Sequence, residues 1–207
     1  MKQRKHKNHM KNVDWKLVRF LEKRALDIDP ATHFNPEKYC KNIEEKLERY
    51  KTSRRAKFLI NCHIVFVTKG RCKVLFKEVR ELIAYYLPEI VKENGWEVFA
   101  CEVMPEHIHM FVSLDNLTDL RRFIQMTRQR LEDWIVQMFP ILRKALKKEL
   151  FSRSYFGSSI GNVSSLTVFG YIRNQWKEYA CYAEKYKIAK RMEINKQKSL
   201  DTFFEEV

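Results

Sequence analysis

The stretch PEHIHMFVSL, residues 105–114, decides the fold. Side chains of a β-strand alternate between two faces, so residues two apart share one. His107, His109 and Phe111 therefore lie on one face, and Ile108, Met110 and Val112 on the other. The apolar set needs a core beneath it. The two neighbouring imidazoles need a face that the core does not claim. A sheet covered by helices on one side supplies both.

The flanking sequence agrees with such a sheet. WEVFACEVM (96–104) reads as a strand joined to 107–114 by a tight hairpin at Pro105-Glu106. FLINCHIVFVT (58–68) is rich in β-branched and aromatic residues and reads as a buried strand, followed by a bend at KGRCK. Residues 76–94 keep helical spacing through Val79, Leu82, Ile83, Leu87, Ile90 and Val91. Pro88 predicts a kink or break in that helix, and Gly95 its C-terminal cap. After the hairpin, Asn116 or Thr118 caps a helix with Leu117, Leu120, Ile124, Leu131, Ile135 and Met138 on one side. Arg121, Arg122, Arg128 and Arg130 lie on its other face. SRSYFGSSIG (152–161) reads as a short strand and turn, and a long helix runs from Ser164 or Ser165 to about Ile188. The order β-α-β-β-α-β-α predicts an α+β, ferredoxin-like sheet with one added C-terminal helix. Both crossover helices cover one face, and the histidines look out from the open one.

The 207 residues carry 40 Lys+Arg against 26 Asp+Glu, a net charge of +14, which points to a polyanionic partner such as nucleic acid. Charge alone leaves open a basic protein kept soluble by repulsion. Residues 1–55 hold 16 of the basic and 8 of the acidic residues, so they carry more than half of the net charge. They divide into a basic arm, a helical segment at VDWKLVRFLEKRAL (13–26), a loop at DIDPATHFNP, and a charged helix at 35–51. This gives three parts: a basic, partly helical extension over 1–55, a compact domain over 56–190, and a tail over 191–207. The five cysteines form no CxxC pair, and their scatter fits reduced thiols in the cytoplasm. No segment approaches the ~18 apolar residues of a membrane span.

Two imidazoles on one strand face make two ligands of a metal site. In VFGYIRNQWKEYA, Tyr171 and Gln175 are four apart, so on a helix they project to the same side. A phenol beside a metal-bound phosphate can act as a nucleophile, and an amide oxygen can join the ligands. Three segments, CHIVFVTKGR (62–71), VMPEHIHMFVS (103–113) and SRSYFGSSIGN…VFGYIRNQW (152–176), closely resemble single-strand transposases of the insertion-sequence 200/605 type. The resemblance covers about residues 58–180. That family has a His–hydrophobic–His (HUH) motif on a strand and one catalytic tyrosine on a C-terminal helix.

The resemblance implies His107 and His109 as metal ligands, Gln175 as a third ligand, Tyr171 as nucleophile, and Mg²⁺ or Mn²⁺ as cofactor. It implies attack on single-stranded DNA to give a 5′-phosphotyrosine link and a free 3′-OH, with recognition of hairpins at the element's ends. It also implies a homodimer with joined sheets, each tyrosine helix completing the partner's site. Residues 1–55 depart from the compact relatives, which begin almost at the first strand. Tyr155, Tyr179 and Tyr182 compete with Tyr171, and Glu106 is either a hairpin residue or a support for the histidines. His63 reads as packing or sheet surface. The arginines of 121–130 contact phosphates or form a solvated helix face. Alternative functions are a domesticated endonuclease of chromosomal repeat hairpins and a hairpin-binding regulator without catalysis. HUH replication initiators and plasmid relaxases are a further alternative, disfavoured by the short domain and the tyrosine's place after the histidines.

Overall fold

Strands form where β-branched and aromatic residues concentrate, and helices where apolar residues recur every third or fourth position. A computed structural model of the chain describes residues 10, 13–26, 43–116, 119–147, 149–160, 162–177 and 179. Helix α1 (Trp15–Leu26) and a short helix α2 (Ile43–Leu47) precede a small ribbon of β1 (Lys51–Thr52) and β2 (Lys57–Phe58). Then follow β3 (Ile60–Thr68), α3 (Lys77–Glu93), β4 (Glu97–Val103), β5 (His107–Leu114) and α4 (Asp119–Met138). The last elements are α5 (Pro140–Leu146), β6 (Phe151–Ile160) and α6 (Asn162–Arg173). The main sheet has the order β4-β5-β3-β6 with every neighbour antiparallel, so the expected α+β, ferredoxin-like arrangement is what the chain adopts.

The alternation of β5 sorts the two faces. Ile108, Met110 and Val112 are fully buried with Ile64 and Phe66 of β3, Val79 and Ile83 of α3, and Phe123 and Leu131 of α4. The opposite face is not open. A second, smaller core joins Phe99, Ala100 and Phe111 of the sheet to Leu47 of α2 and Phe169 and Ile172 of α6. A bulge between Val98 and Ala100 turns both Phe99 and Ala100 toward this second core.

Local chemistry explains the joints. Gly95 takes φ +74° and donates its N–H to Lys92 O at 3.1 Å, while Trp96 N–H reaches Val91 O at 3.1 Å, closing α3. Met104 N–H donates to His107 O at 2.8 Å across the Pro105-Glu106 turn. Asn116 Oδ1 accepts from Asp119 N–H at 3.0 Å and so caps α4; Thr118 lies outside the described residues. Helix α3 passes through Pro88 unbroken, with Leu87, Ile90 and Val91 buried on both sides of it. Burial of those residues offsets the ~3 kcal/mol that an interior proline costs a helix.

Two further sequence expectations change. The expected short strand at 152–161 is ten residues long, and α5 intervenes before it. Beyond Arg173 and a one-residue turn at Asn174, residues 175–177 and 179 are again helical, and the rest of the expected run to Ile188 lies outside the described residues. Finally, the N-terminal extension is not separate from the domain. Val18, Leu21 and Ala25 of α1 are fully buried in the main core, and Asp14 N–H donates to Ala145 O at 2.9 Å. Leu21→Ala is therefore expected to cost about 2–5 kcal/mol in urea unfolding, as for any buried leucine. A cost near zero would show that α1 is dispensable to the core.

The chain divides into two units, Met1–Arg173 and Asn174–Val207. In the second, Lys177 N–H donates to Asn174 O at 3.0 Å, and the Trp176 and Tyr179 rings meet at 5.8 Å.

Candidate functional site

The site is built from the pairing of three strands. Antiparallel register sets Val67 of β3 opposite His107, Val65 opposite His109 and His63 opposite Phe111. From the other side, Glu102 of β4 stands opposite His109. Residues directly opposite share a face, so His63, His107, His109 and Glu102 gather on the side away from the main core. His109 and Glu102 are buried there, and His107 is largely so.

Each histidine of the pair has its Nδ1 engaged. Glu106 Oε1 lies 3.2 Å from His107 Nδ1. His63 Nε2 lies 2.8 Å from His109 Nδ1, with the two rings stacked at 5.1 Å between centroids. The His107 and His109 rings meet edge to face at 4.8 Å. When His107 donates its Nδ1 proton to Glu106, its Nε2 keeps a lone pair. When His109 donates its Nδ1 proton to His63 Nε2, the His109 Nε2 does the same. A hydrogen-bond acceptor behind a histidine, usually a carboxylate, backbone carbonyl or water, presents the opposite nitrogen to a metal, and here Glu106 stands in that place for His107 and the His63 ring for His109.

Electrostatics favour the neutral, ligating form. Burial first, then the neighbouring His107 and His63, lower the His109 pKa to about 3. Burial also lowers that of His63. Because the folded value lies below the ordinary histidine value, the unfolded chain takes up the proton more readily. His109 therefore subtracts stability as pH falls from about 6.5 toward 3. Over the neutral range its imidazole carries no charge to repel a cation.

Helix α6 brings the phenol. Phe169 and Ile172 anchor it in the second core, and between them Tyr171 turns toward the histidines. Its ring centroid lies 5.8 Å from that of His109 and 6.1 Å from that of His63, nearly perpendicular to both. Tyr171 is 44% exposed, so a substrate can reach it. The tyrosine and the histidines beside it here belong to one chain. The competitor Tyr155 lies opposite Phe66, on the main-core side of the sheet, and points away. Tyr182 lies outside the described residues.

The other residues singled out from sequence are elsewhere. Gln175 is buried but belongs to the second unit, so its ligand role rests on the motif alone. The arginines of α4 lie on the helical side of the sheet, not with the histidines. Arg122 donates to Asn94 Oδ1 at 3.2 Å, Arg128 to the Ser152 and Arg153 carbonyls, and Arg130 pairs with Glu93. Arg121 is exposed. His63, read from sequence as packing or sheet surface, is the residue whose contact with His109 sequence reasoning did not find. Its signal was the strand alternation of 58–68 combined with a β3–β5 register that one strand alone does not reveal.

No group of three His, Cys, Asp or Glu side chains suited to a metal occurs among the described residues. The pair still fits a divalent ion. Both Nδ1 atoms are occupied, and Glu106 Oε2 is buried with no hydrogen-bond partner among the described residues. Two imidazoles leave further positions for water, substrate oxygen or an amide.

The family profile described as Transposase IS200 like matches residues 56–175, which is 120 of the 207 positions. The chain belongs to the IS200-like transposase family. It is 25% identical over 119 residues to the ISDra2 transposase TnpA of Deinococcus radiodurans, covering 57% of this chain and 85% of that protein. A crystal structure of a protein described as a transposase from Deinococcus radiodurans R1 matches with a TM-score of 0.51 and 25% identity. That match covers 60% of this chain and 97% of the other. The transposase match starts at β2 and takes in β3, both histidines, Tyr171 and Gln175, while α1 and α2 precede it. No described helix is long and apolar enough to cross a membrane.

Proposed function

We propose that this transposase cuts and rejoins single-stranded DNA through a covalent link to Tyr171. The observation that carries the reading is the Tyr171 ring standing edge-on to His109 at 5.8 Å between centroids, His109 being one of an imidazole pair whose Nδ1 atoms are both held. His107 and His109 and, by the motif, Gln175 would hold a divalent cation, Mg²⁺ or Mn²⁺, which would supply charge neutralisation on the phosphoryl oxygens. The Tyr171 oxygen bonds to phosphorus and loses its proton, and the P–O3′ bond breaks. The 3′ oxygen leaves as a hydroxyl after taking up a proton, and the 5′-phosphate stays on the tyrosine. Attack by a 3′-OH on that link reverses the balance and rejoins strands.

The substrate is single-stranded DNA folded into hairpins at the ends of the element, drawn by the chain's +14 charge. The protein acts as a homodimer. Strand β6 supports this: its ten residues are mostly exposed, and among the described residues it pairs with β3 alone, so one edge is free to join a second sheet.

The test uses hairpin oligonucleotides from the gene's own flanks. With Mg²⁺ or Mn²⁺ the full chain should form a covalent protein–DNA species that survives a denaturing gel, and a chelator should prevent it. Absence of the species across several flanking sequences would overturn the reading.

A further inference from the structure

The buried side of α1 is explained by the main core, but its outward side is not. Val18, Leu21 and Ala25 define the inward stripe. At about 100° per residue, Trp15, Lys16, Arg19, Phe20 and Lys23 fall in one arc on the opposite side. All five are exposed, with Trp15 at 47% and Phe20 at 57%. Of the two acidic residues near the helix, Asp14 lies off this arc and Glu22 borders it, about 20° from Trp15. Asp14 Oδ1 caps the helix at Leu17 N–H, and Glu22 Oε1 faces Lys73 N–H. Among the described residues the one ion pair of α1 is Arg24 with Glu78, so Arg24 is committed to the fold. The outward face thus combines three cations with two large aromatic rings and holds no acid.

Solubility alone accounts for the cations, and it disfavours exposed tryptophan and phenylalanine beside them. Single-stranded nucleic acid accounts for both, since phosphates seek the cations and unpaired bases stack on the rings. The charge around the helix points the same way, because the first twelve residues contain five Lys+Arg and no acid. Location agrees as well. Helix α1 docks by Glu22 against the segment after β3, and the neighbouring Thr68 and Leu75 N–H groups donate to Glu106 O and Pro105 O at 2.9 Å each. Helix α1 therefore packs on the helical side of the sheet, at the end where β5 begins with His107, and its outward face points away from that core. It precedes residue 56, where the family match starts.

We infer that the outward face of α1 is an accessory contact for single-stranded DNA, binding the strand beyond the segment held at the histidines. This rests on the proposed single-strand substrate, and the experiment separates the two. Binding of a labelled oligothymidylate 20-mer is measured by anisotropy at several salt concentrations. The wild type is compared with Lys16→Ala/Arg19→Ala/Lys23→Ala and with Trp15→Ala/Phe20→Ala. The cation variant should flatten the log–log salt slope by about 2, three phosphate contacts at roughly 0.7 each. The aromatic variant should weaken single-strand binding on the order of tenfold per ring while leaving duplex binding unchanged. Both should keep the wild-type melting temperature, because no substituted side chain is buried, and should still form the Tyr171 adduct on a minimal hairpin. Wild-type slopes and affinities in both variants would overturn the inference. So would a change in oligomeric mass, which would make the face a contact between copies. Failure of the wild-type adduct with the binding losses intact would strike the catalytic reading and not this one.

Discussion

Tyr171→Phe is expected to abolish the covalent protein–DNA species while leaving hairpin binding within about twofold of wild type. The substitution removes one oxygen from a half-exposed ring, so it opens no cavity in the second core, which Phe169 and Ile172 maintain. The ring keeps its edge-on place beside His63 and His109. What disappears is the phenolic oxygen proposed to bond to phosphorus, so on that proposal the loss should be complete to the detection limit of a labelled gel. Binding, measured on the same oligonucleotide without cleavage, separates a lost nucleophile from a lost site. An adduct persisting in the variant would hand the role to another hydroxyl. Tyr155 is a poor heir, because it projects from the main-core side of the sheet.

Much of this arrangement was legible because one strand carries a two-residue alternation. Once Ile108, Met110 and Val112 are taken as core, the direction of His107 and His109 follows, and so does the need for helices on the other face. Gly95 and Asn116 were legible for the same local reason, since each cap is decided by its own residue type. Two things were not local. The partner of His109 is His63, forty-six positions earlier, and only the strand register brings Nε2 to Nδ1. The burial of Val18 and Leu21 depends on a surface assembled from α3, α5 and the bend after β3, which no window around α1 contains.

The missed partner leads to the second large effect. His109→Ala removes a candidate ligand outright, so cleavage should fall by three orders of magnitude or more and should not return at any Mn²⁺ concentration. His63→Ala removes only what holds that ligand, and second-sphere losses of this kind run to about 10–100-fold in metal affinity. Its cleavage should therefore recover at high Mn²⁺, with the half-saturating concentration shifted upward by that factor. Direct Mn²⁺ binding, followed by the loss of the free-ion paramagnetic resonance signal, should shift equally without DNA present. His63→Gln separates positioning from packing. Its amide oxygen can still accept the His109 Nδ1 proton, so it should restore most of the affinity, although it lacks the ring that stacks at 5.1 Å. If His63→Gln behaves like His63→Ala, stacking rather than the hydrogen bond orients His109. If neither changes the Mn²⁺ dependence, His63 is ordinary sheet packing, and Glu106 at His107 Nδ1 would be the sole outer support of the pair.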